Sequence, residues 1–474
     1  MLSEDVAELF DERPGYRLVD FEEVGLPLYR LTAVVTTLQP KSYQAIDEFV
    51  LRSVETGLAS VTELAGFLGV DSDVVVQSAS RLIRDDDLVE GSDGILFLTD
   101  RSRDVLSGER AMRPREHALT FHFDAVTRKP ISIKELLLYA PKDLRGRGMR
   151  EIRPIPVERP EPAEIDAAAL EKVLALDAGR GEPLSKLLRV KEISRSVSLF
   201  MPAVALVYRR VDGDDVAVGF AVDGRMSSEH ERLFAAGRGP EKLGVRNSVL
   251  ASTPQPDLDL VLGDLARALP APPPAGDLAP GAERRAEAIA KFRRSLAERH
   301  GGELSARVPS PAPAVARPQR VRMLQGYEHP ALLAEALDEA RNEVLLVAPA
   351  ATPAILDDAM LRRIRACLER GARVCLGLRE CGLPGESGPW DRLAELERRE
   401  RLFTLRVLAH DHPSVLIKDR DWLVVTNFDW LSYRGDLHRP FRERGGVQIV
   451  VPQVVRGYAE RLGQTLFATG DAPP

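Results

Sequence analysis

The sequence has few cysteines and no long apolar run, and each absence excludes a class of protein. The three cysteines, Cys367, Cys375 and Cys381, lie in one short stretch without the paired spacing of a zinc site or a disulfide framework. No stretch approaches the roughly 18 to 20 consecutive apolar residues that a membrane span needs. Residues 1–5 include the acids Glu4 and Asp5 and do not resemble a signal peptide. We therefore expect a cytoplasmic protein with no membrane contact, no metal and no cofactor.

The chain also lacks an excess of basic charge. Its formal net charge is −7, so any nucleic-acid binding must be local rather than driven by a chain-wide positive field. With 474 residues, 44% hydrophobic and 29% charged, it can bury about two to four globular cores. Its richness in alanine, arginine, proline and leucine is typical of a GC-rich bacterial genome.

Composition and periodicity predict a multidomain α/β chain of five segments. These are a β-containing N-terminal segment (1–41), a helical module (42–105), a mixed α+β middle domain (106–265), a proline-rich linker with a basic helix at 282–300 (266–319), and a C-terminal α/β domain (320–474). Asp212-Gly213 predicts a hairpin between two strands of the middle domain. The polar residues 226–232, which include a Ser, a His and a Glu, are expected to form a solvated surface.

The helical module carries a recognisable order of elements. Apolar residues at helical spacing (Ile46, Phe49, Val50, Val54 and Leu58) predict a first helix. Residues 60–70 and 74–84 predict two more helices, with Asp71-Ser72-Asp73 as the cap between them. Residues 88–99 predict a two-stranded hairpin. This passage resembles the winged-helix family, so its last helix is the expected reading helix.

The resemblance implies a set of candidate nucleic-acid contacts on that helix, namely Gln77, Ser80, Arg81 and Arg84. Three carboxylates, Asp85 to Asp87, follow directly and disfavour a phosphate backbone beside them. Docking of a protein partner is the favoured role of the module, and reading of DNA or RNA remains the alternative.

The C-terminal segment alternates strand and helix, with strands at 343–349 and 373–378 around a helix at 354–370. Further along, His412 and Asp419 are followed by the phrase Asp429-Trp430-Leu431-Ser432. These residues resemble the phospholipase D superfamily, whose signature is a His, a Lys two residues on, an Asp five beyond it, and a Gly-Ser-x-Asn turn. We call residues 412–434 the signature segment.

The signature segment departs from the family pattern at several positions. Ser414 stands where Lys is expected, Thr426-Asn427 where Gly-Ser is expected, and Asp429 where Asn is expected, while Glu443 matches a downstream acid of the family. The family implies that His412 attacks phosphorus and that Lys and Asn hold the non-bridging oxygens. Losing one such donor costs about 3 to 4 kcal/mol, so the resemblance implies a catalytically impaired site.

Two nearby features are further candidates for a functional group, Lys418 and the pair His410 and His412. Lys418 shares a strand face with Ser414 but sits about 13 Å further along the strand, at about 3.3 Å per residue. His410 and His412 could be a metal pair, but no third ligand with suitable spacing accompanies them.

The family builds one site from two halves, and no second His-x-Lys occurs in this chain. A composite site therefore needs another chain, either a homodimer through this domain or a partner.

The sequence supports three hypotheses. The first is a catalytically impaired phospholipase D-like protein that acts as a binding or scaffold subunit, with protein partners, in a bacterial nucleic-acid-processing or antiphage-defence assembly. The second is an active phosphodiesterase or nuclease completed by dimerisation. The third is a winged-helix transcription regulator.

Overall fold

The computed structural model describes residues 2–40, 43–106, 112–178, 186–252, 257–270, 320–380, 388–408 and 412–466. The predicted basic helix at 282–300, Cys381 and His410 lie outside the described residues.

The strands form two large sheets and one small hairpin. In chain order they are β1 (Glu12–Arg13), β2 (Tyr16–Pro40), β3 (Leu88–Glu90), β4 (Leu96–Leu98), β5 (Met112–Asp124), β6 (Lys129–Ile131), β7 (Arg150–Glu151), β8 (Lys186–Arg210), β9 (Val216–Val222), β10 (Arg225–Met226), β11 (Val321–Gln325), β12 (Glu343–Ala350), β13 (Arg373–Glu380), β14 (Phe403–Val407), β15 (Ser414–Lys418), β16 (Trp422–Thr426) and β17 (Gly445–Ile449).

The helices lie in the module that separates β2 from β5 and on the faces of the two large sheets. In chain order they are α1 (Ser3–Leu9), α2 (Ala45–Glu55), α3 (Val61–Leu68), α4 (Ser72–Arg84), α5 (Asp100–Leu106), α6 (Pro141–Gly146), α7 (Ala167–Ala178), α8 (Ser228–Ala236), α9 (Gly239–Lys242), α10 (Val245–Ala251), α11 (Leu258–Leu262), α12 (His329–Glu339), α13 (Asp358–Glu369), α14 (Pro389–Arg399) and α15 (Pro452–Leu466). Short 3-10 turns lie at Glu135–Leu137, Pro162–Glu164, Gly263–Ala268 and Gly326–Glu328.

Strand β2 is the centre of the N-terminal sheet. It is 25 residues long and pairs antiparallel with β8 along its length and with β5 along its second half. The sheet order is β10-β9-β8-β2-β5-β6, with β1 and β7 also paired to β2. The predicted N-terminal segment and the predicted middle domain therefore share one sheet. The predicted Asp212-Gly213 turn does join β8 to β9.

Beyond residue 27 of β2 the N-terminal sheet consists of β8, β2 and β5, with the short β6 paired only to residues 122–124 of β5. We define the ribbon as residues 28–40 of β2, 112–124 of β5 and 186–199 of β8. Leu31 and Val35 of β2 pack with Leu170 of α7 on one face. Within the ribbon, register shifts between β2 and β8, the first of them at Thr32, mark bulges, which increase the local twist.

The helical module, residues 43–106, is inserted between β2 and β5 and so sits at the far end of the ribbon. Helices α2, α3 and α4 occur where the periodicity predicts them. Helix α3 begins with a capping box between Ser60 and Glu63 and ends at Gly69, whose φ of +64° favours glycine. The predicted apolar face is wrong at Phe49, which is 58% exposed, while Val50 is fully buried.

The C-terminal sheet has the order β11-β17-β16-β15-β12-β13-β14. Strands β12, β13 and β14 run parallel, and the remaining neighbours pair antiparallel. One face is covered by a core that includes Leu333 of α12, Leu361 of α13 and Leu393 of α14. The other face packs against Leu262 of α11 and Val455 of α15. The chain is thus a multidomain α/β protein whose C-terminal part is an α/β sandwich.

Candidate functional site

Five of the six predicted site positions lie at one end of the C-terminal sheet. Ser414 at the start of β15 pairs with Thr426 at the end of β16, and Thr426 pairs with Gly446 near the start of β17. His412, which precedes β15, and Glu443, which precedes β17, therefore flank the turn that follows β16. We call this end of the sheet the signature end. Asn427 and Asp429 belong to it as well.

Asp419 lies at the opposite end of β15. Its carboxylate accepts hydrogen bonds from the backbone N–H groups of Arg341, Asn342 and Glu343, at 2.8, 2.6 and 2.9 Å. Seven residues at about 3.3 Å each place it roughly 23 Å from His412. In this position Asp419 fixes the start of β12.

Lys418 also points away from the signature end. Its ammonium lies 2.6 Å from Glu339 Oε2 and 3.2 Å from Glu335 Oε1 of α12. Lys418 is therefore paired with two carboxylates, and it does not replace the lysine that the family pattern has at position 414. Ser414 itself is buried within the sheet.

A buried histidine that the sequence did not single out supports the turn after β16. His329 Nδ1 lies 2.9 Å from the Gln325 carbonyl, so this nitrogen donates its proton, and Nε2 lies 2.8 Å from Thr426 Oγ1. The ring stacks on Phe428 at 4.5 Å. Burial lowers the pKa of His329 to about 4, so the ring is neutral near pH 7. Its role is to support the turn after β16 by packing and hydrogen bonding.

Asn427 is used as a clamp between two strands. Its Nδ2 donates to the Glu443 carbonyl at 2.8 Å, and its Oδ1 accepts from the Gly445 N–H at 2.9 Å. Both polar atoms of the amide are thus bonded to the backbone that leads into β17. The amide holds the signature end together.

Asp429 is held by two arginines that precede β17. Its Oδ2 lies 3.2 Å from Arg444 Nη2, and its Oδ1 accepts from Arg442 Nη2. Asp429 is 8% exposed and Arg444 3% exposed. The carboxylate that replaces the expected asparagine is therefore neutralised inside the protein.

The arginines of the signature end also contact the N-terminal sheet. Asp20 of β2 places its Oδ1 3.2 Å from Arg444 Nε and 3.4 Å from Arg439 Nη1, and its Oδ2 accepts from the Arg442 N–H at 3.0 Å. Asp20 is 1% exposed. A carboxylate of one sheet thus sits among the cations of the other.

Glu22 and Glu443 make further ion pairs between the N-terminal sheet and the residues before β17. Glu22 of β2 lies 3.5 Å from Arg439 Nη2 and 3.2 Å from Arg150 Nη2. Glu443 pairs with Arg17 of β2 and, at 2.9 Å, with Arg209 of β8. We call the whole group the charge cluster; its members are Asp20, Glu22, Asp429, Glu443, Arg17, Arg150, Arg209, Arg439, Arg442 and Arg444.

Burial and pairing oppose each other within the charge cluster. Burial by itself would lower the pKa of Arg439, but Asp20 and Glu22 raise it above its usual value. Burial raises the pKa of Glu22, and the neighbouring Arg439 and Arg150 oppose that rise. The buried guanidinium is therefore stabilised by the carboxylates of β2. A phosphate that entered the signature end would compete with them for the same arginines.

The candidate nucleic-acid residues of the module do not form one exposed row of cations. Gln77, Ser80 and Arg84 are exposed on α4, whereas Arg81 is partly buried and pairs with Asp47 at 2.8 Å. Ser78 donates to the same Asp47 carboxylate. Arg81 thus joins α4 to α2, and Arg84 is the exposed cation of the predicted set.

The module as a whole is acidic. Residues 43–106 contain thirteen acidic and five basic side chains. Asp86 is exposed beside the end of α4, while Asp87 is buried and accepts a hydrogen bond from Tyr43 Oη at 3.1 Å. This balance of charge repels a phosphate backbone.

Residues 226–232 were predicted to form a solvated surface, and this prediction is wrong at His230, which is buried. His230 is 7% exposed, with Nε2 2.7 Å from Asp124 Oδ2 and Nδ1 2.7 Å from Ser227 Oγ. Asp124 also accepts from the N–H groups of Val126 and Thr127, both at 2.8 Å. Ser227 is the N-cap of α8. These hydrogen bonds anchor α8 on β5. The sequence did not predict the contact, because Asp124 lies 106 residues from His230.

Two further observations concern the part of the chain that the structure describes. Within it, no three His, Cys, Asp or Glu side chains converge as a metal-binding group. None of its helices combines the length and the apolar character that crossing a bilayer requires.

Comparison with known proteins gives a limited result. No family model and no curated protein matches the chain. Among solved structures it is similar to a phospholipase D family member, Nuc from Salmonella typhimurium, with 18% identity over 30% of this chain and 91% of that chain, at a TM-score of 0.24. It is similar to NucT from Helicobacter pylori, with 12% identity over 31% of this chain and 96% of that chain, at a TM-score of 0.24.

A third similar structure is TrmBL2, described as an archaeal chromatin protein with a novel mode of DNA binding. It shares 19% identity over 50% of this chain and 82% of that chain, at a TM-score of 0.23. At TM-scores this low, the three likenesses assign neither an activity nor a ligand to this chain.

Proposed function

We propose that this chain is a non-catalytic phospholipase D-like protein that works as a binding or scaffold subunit. The observation that carries the proposal is the charge cluster, in which Asp20 of the N-terminal sheet is paired with Arg439 and Arg444 at the signature end. The three arginines before β17, Arg439, Arg442 and Arg444, are each already paired with a carboxylate of the chain itself. A bacterial nucleic-acid-processing or antiphage-defence assembly is the setting that the family resemblance suggests.

The identity of the signature residues supports the same proposal. Ser414 offers no positive charge to a phosphorane-like transition state, and Asp429 presents a carboxylate where a hydrogen-bond donor is required. One lost donor alone raises the barrier by about 3 to 4 kcal/mol. The two changes act in the same direction, so little rate enhancement remains.

Opening the signature end to a substrate would be costly. Removing one partner from a buried ion pair costs about 3 to 5 kcal/mol because the other charge stays buried and unpaired. A phosphate diester would have to displace Asp20 from Arg444, both of which are almost fully buried. The pairing favours the closed arrangement.

The helical module is proposed as the docking element of the scaffold. Its acidic balance disfavours nucleic acid, and its element order of three helices and a hairpin supports the winged-helix assignment. Val76 and Ile83 on α4 are 46% and 37% exposed. Apolar side chains on the outer side of this helix suit a protein surface better than a phosphate backbone.

The test is a metal-free assay of purified protein on a chromogenic phosphodiester and on labelled single- and double-stranded DNA. Wild type and His412→Ala are expected to give the same background rate. Cleavage by the wild type that disappears in His412→Ala would instead establish the active-enzyme alternative, and light scattering would then show whether a dimer completes the site.

A further inference from the structure

The outer surface of the helical module is both apolar and acidic. In its hairpin, Val89 pairs directly with Phe97, and each is 51% exposed. Val76 and Ile83 lie two turns apart on one side of α4, which adjoins β3. Asp73 on α4 and Glu90 on β3 are exposed as well. We call these side chains the module surface: Asp73, Val76, Ile83, Val89, Glu90 and Phe97.

A second exposed surface of the same chain has the opposite charge. The loop from β6 to β7 exposes Leu136 at 98% and Leu137 at 55% of their areas. Residues 134–147 contain four basic and two acidic side chains, and Glu135 of these acids is already paired with Arg30. We call this segment the basic loop; its exposed cations are Lys134, Lys142, Arg145 and Arg147.

The two surfaces are complementary in composition. The module surface exposes four large apolar side chains and the basic loop two, and grouped exposure of this kind often marks an interaction site. The module surface carries two exposed carboxylates, and the basic loop carries four exposed cations. Juxtaposing them would bury the apolar side chains and pair the charges, which fixes the register and favours association.

The ribbon keeps these surfaces apart within one molecule. The Arg30–Glu135 ion pair fixes the basic loop beside residue 30 of β2, whereas the module begins beyond Pro40, where β2 ends. Ten residues of strand at about 3.3 Å each separate the two points by roughly 33 Å. Three hydrogen-bonded strands make this spacer stiff.

We propose that the module surface of one copy docks on the basic loop of a second copy, and reciprocally, so that two chains exchange their ribbon-borne modules. The arrangement is a closed two-fold dimer, in which the same pair of contacts occurs twice. It rests on the proposed protein-docking role of the module and names the partner as this chain itself. It does not involve the signature end.

The experiment is sedimentation velocity over a concentration series on the full chain, with two charge-reversal variants. One carries Asp73→Lys and Glu90→Lys in the module surface, and the other carries Lys134→Glu and Lys142→Glu in the basic loop. The wild type is expected to dimerise, and each variant alone is expected to weaken the dimer by about tenfold or more. An equimolar mixture of the two variants is expected to regain it, because both contacts in the mixed dimer are attractive.

Matched controls separate the surfaces from general charge effects. Glu55→Lys changes an exposed acid at the end of α2, and Arg365→Glu changes an exposed cation of α13; both are expected to leave the dimer unchanged. A wild type that stays monomeric throughout, or a dimer that survives both charge reversals, overturns the inference. Either result leaves the assay of catalysis untouched, so failure of the dimer and failure of the non-catalytic assignment are distinguishable.

Discussion

Asp20 and Arg444 meet across the boundary between the two large sheets, with Asp20 Oδ1 3.2 Å from Arg444 Nε. Neither side chain reaches solvent to a measurable extent, since their side-chain exposures are 0% and 1%. Arg444 also pairs with Asp429, so one guanidinium links β2 to the turn after β16. The ion pair therefore links the N-terminal sheet to the signature end.

Replacing Asp20 is expected to destabilise the folded chain. Asp20→Asn keeps the shape of the side chain but removes the charge that faces Arg439 and Arg444. Because both guanidinium groups stay buried, the expected loss is about 3 to 5 kcal/mol in the free energy of unfolding, measured by urea denaturation. Asp215→Asn is the control, since its bond from Tyr16 Oη is exposed and should contribute under about 1 kcal/mol. Equal losses in the two variants would contradict the role of the charge cluster.

His329 gives stability a pH dependence of definite sign. Its pKa is lowered by burial to about 4, whereas it is about 6.5 in an unfolded chain. Between these values the unfolded state binds a proton that the folded state does not. Stability is therefore complete above about pH 6.5 and falls as the pH drops toward 4, by at most about 1.4 kcal/mol per pH unit.

Urea denaturation of His329→Gln at about pH 7.5 and about pH 5 measures this dependence. The variant is expected to be less stable than wild type at the higher pH and to lose less on acidification. His438→Gln changes an exposed histidine and should keep the wild-type fall. An unchanged fall in His329→Gln would show that other groups cause it.

Gly148 is expected to accept no side chain. A Cβ at this position would lie 2.4 Å from the backbone of Gly435, and its φ is +66°. Gly148→Ala should therefore push the loop before β7 away from Gly435 and cost about 1 to 3 kcal/mol beyond the strain of its backbone angle. Gly15→Ala is the control for that strain, because Gly15 has a φ of +73° and nothing within 4 Å. Comparable melting temperatures for the two variants would refute the close contact.

The module is expected to show no sequence-specific DNA binding. Fluorescence anisotropy with varied duplexes should detect at most weak, salt-sensitive binding that Arg84→Ala leaves unchanged, because thirteen acids surround the few cations. Arg52→Ala, which removes a cation paired with Glu48 on α2, is the matched comparison. Tight binding to one duplex that only Arg84→Ala abolishes would favour the transcription-regulator alternative.

Local patterns predicted much of the secondary structure. Strand β12 and helix α13 follow from a continuous apolar run and from helical spacing, and the turn between β8 and β9 follows from Asp212-Gly213. Phe49 was misplaced because helical spacing alone does not say how wide the buried face of α2 is.

The candidate site could be predicted only in part. His412 precedes β15 and Asp429 follows β16, so the strand boundaries put both residues at the same end of the sheet. Asp20 and Glu22 alternate along β2 like residues of a solvent-exposed face, yet both are buried. Arg439, which pairs with both carboxylates, lies more than four hundred residues away in sequence. Only the packing of the two sheets, which no local pattern encodes, brings these charges together.

The most direct test of the non-catalytic assignment is a search for the covalent intermediate. The protein would be incubated with a reactive phosphodiester, quenched in alkali to preserve phosphohistidine, and analysed by intact-mass and peptide mass spectrometry, with His412→Ala in parallel. We predict no phosphoryl adduct on wild type or variant. An adduct on wild type that maps to His412 and is missing from His412→Ala would contradict the account and establish a working phosphodiesterase.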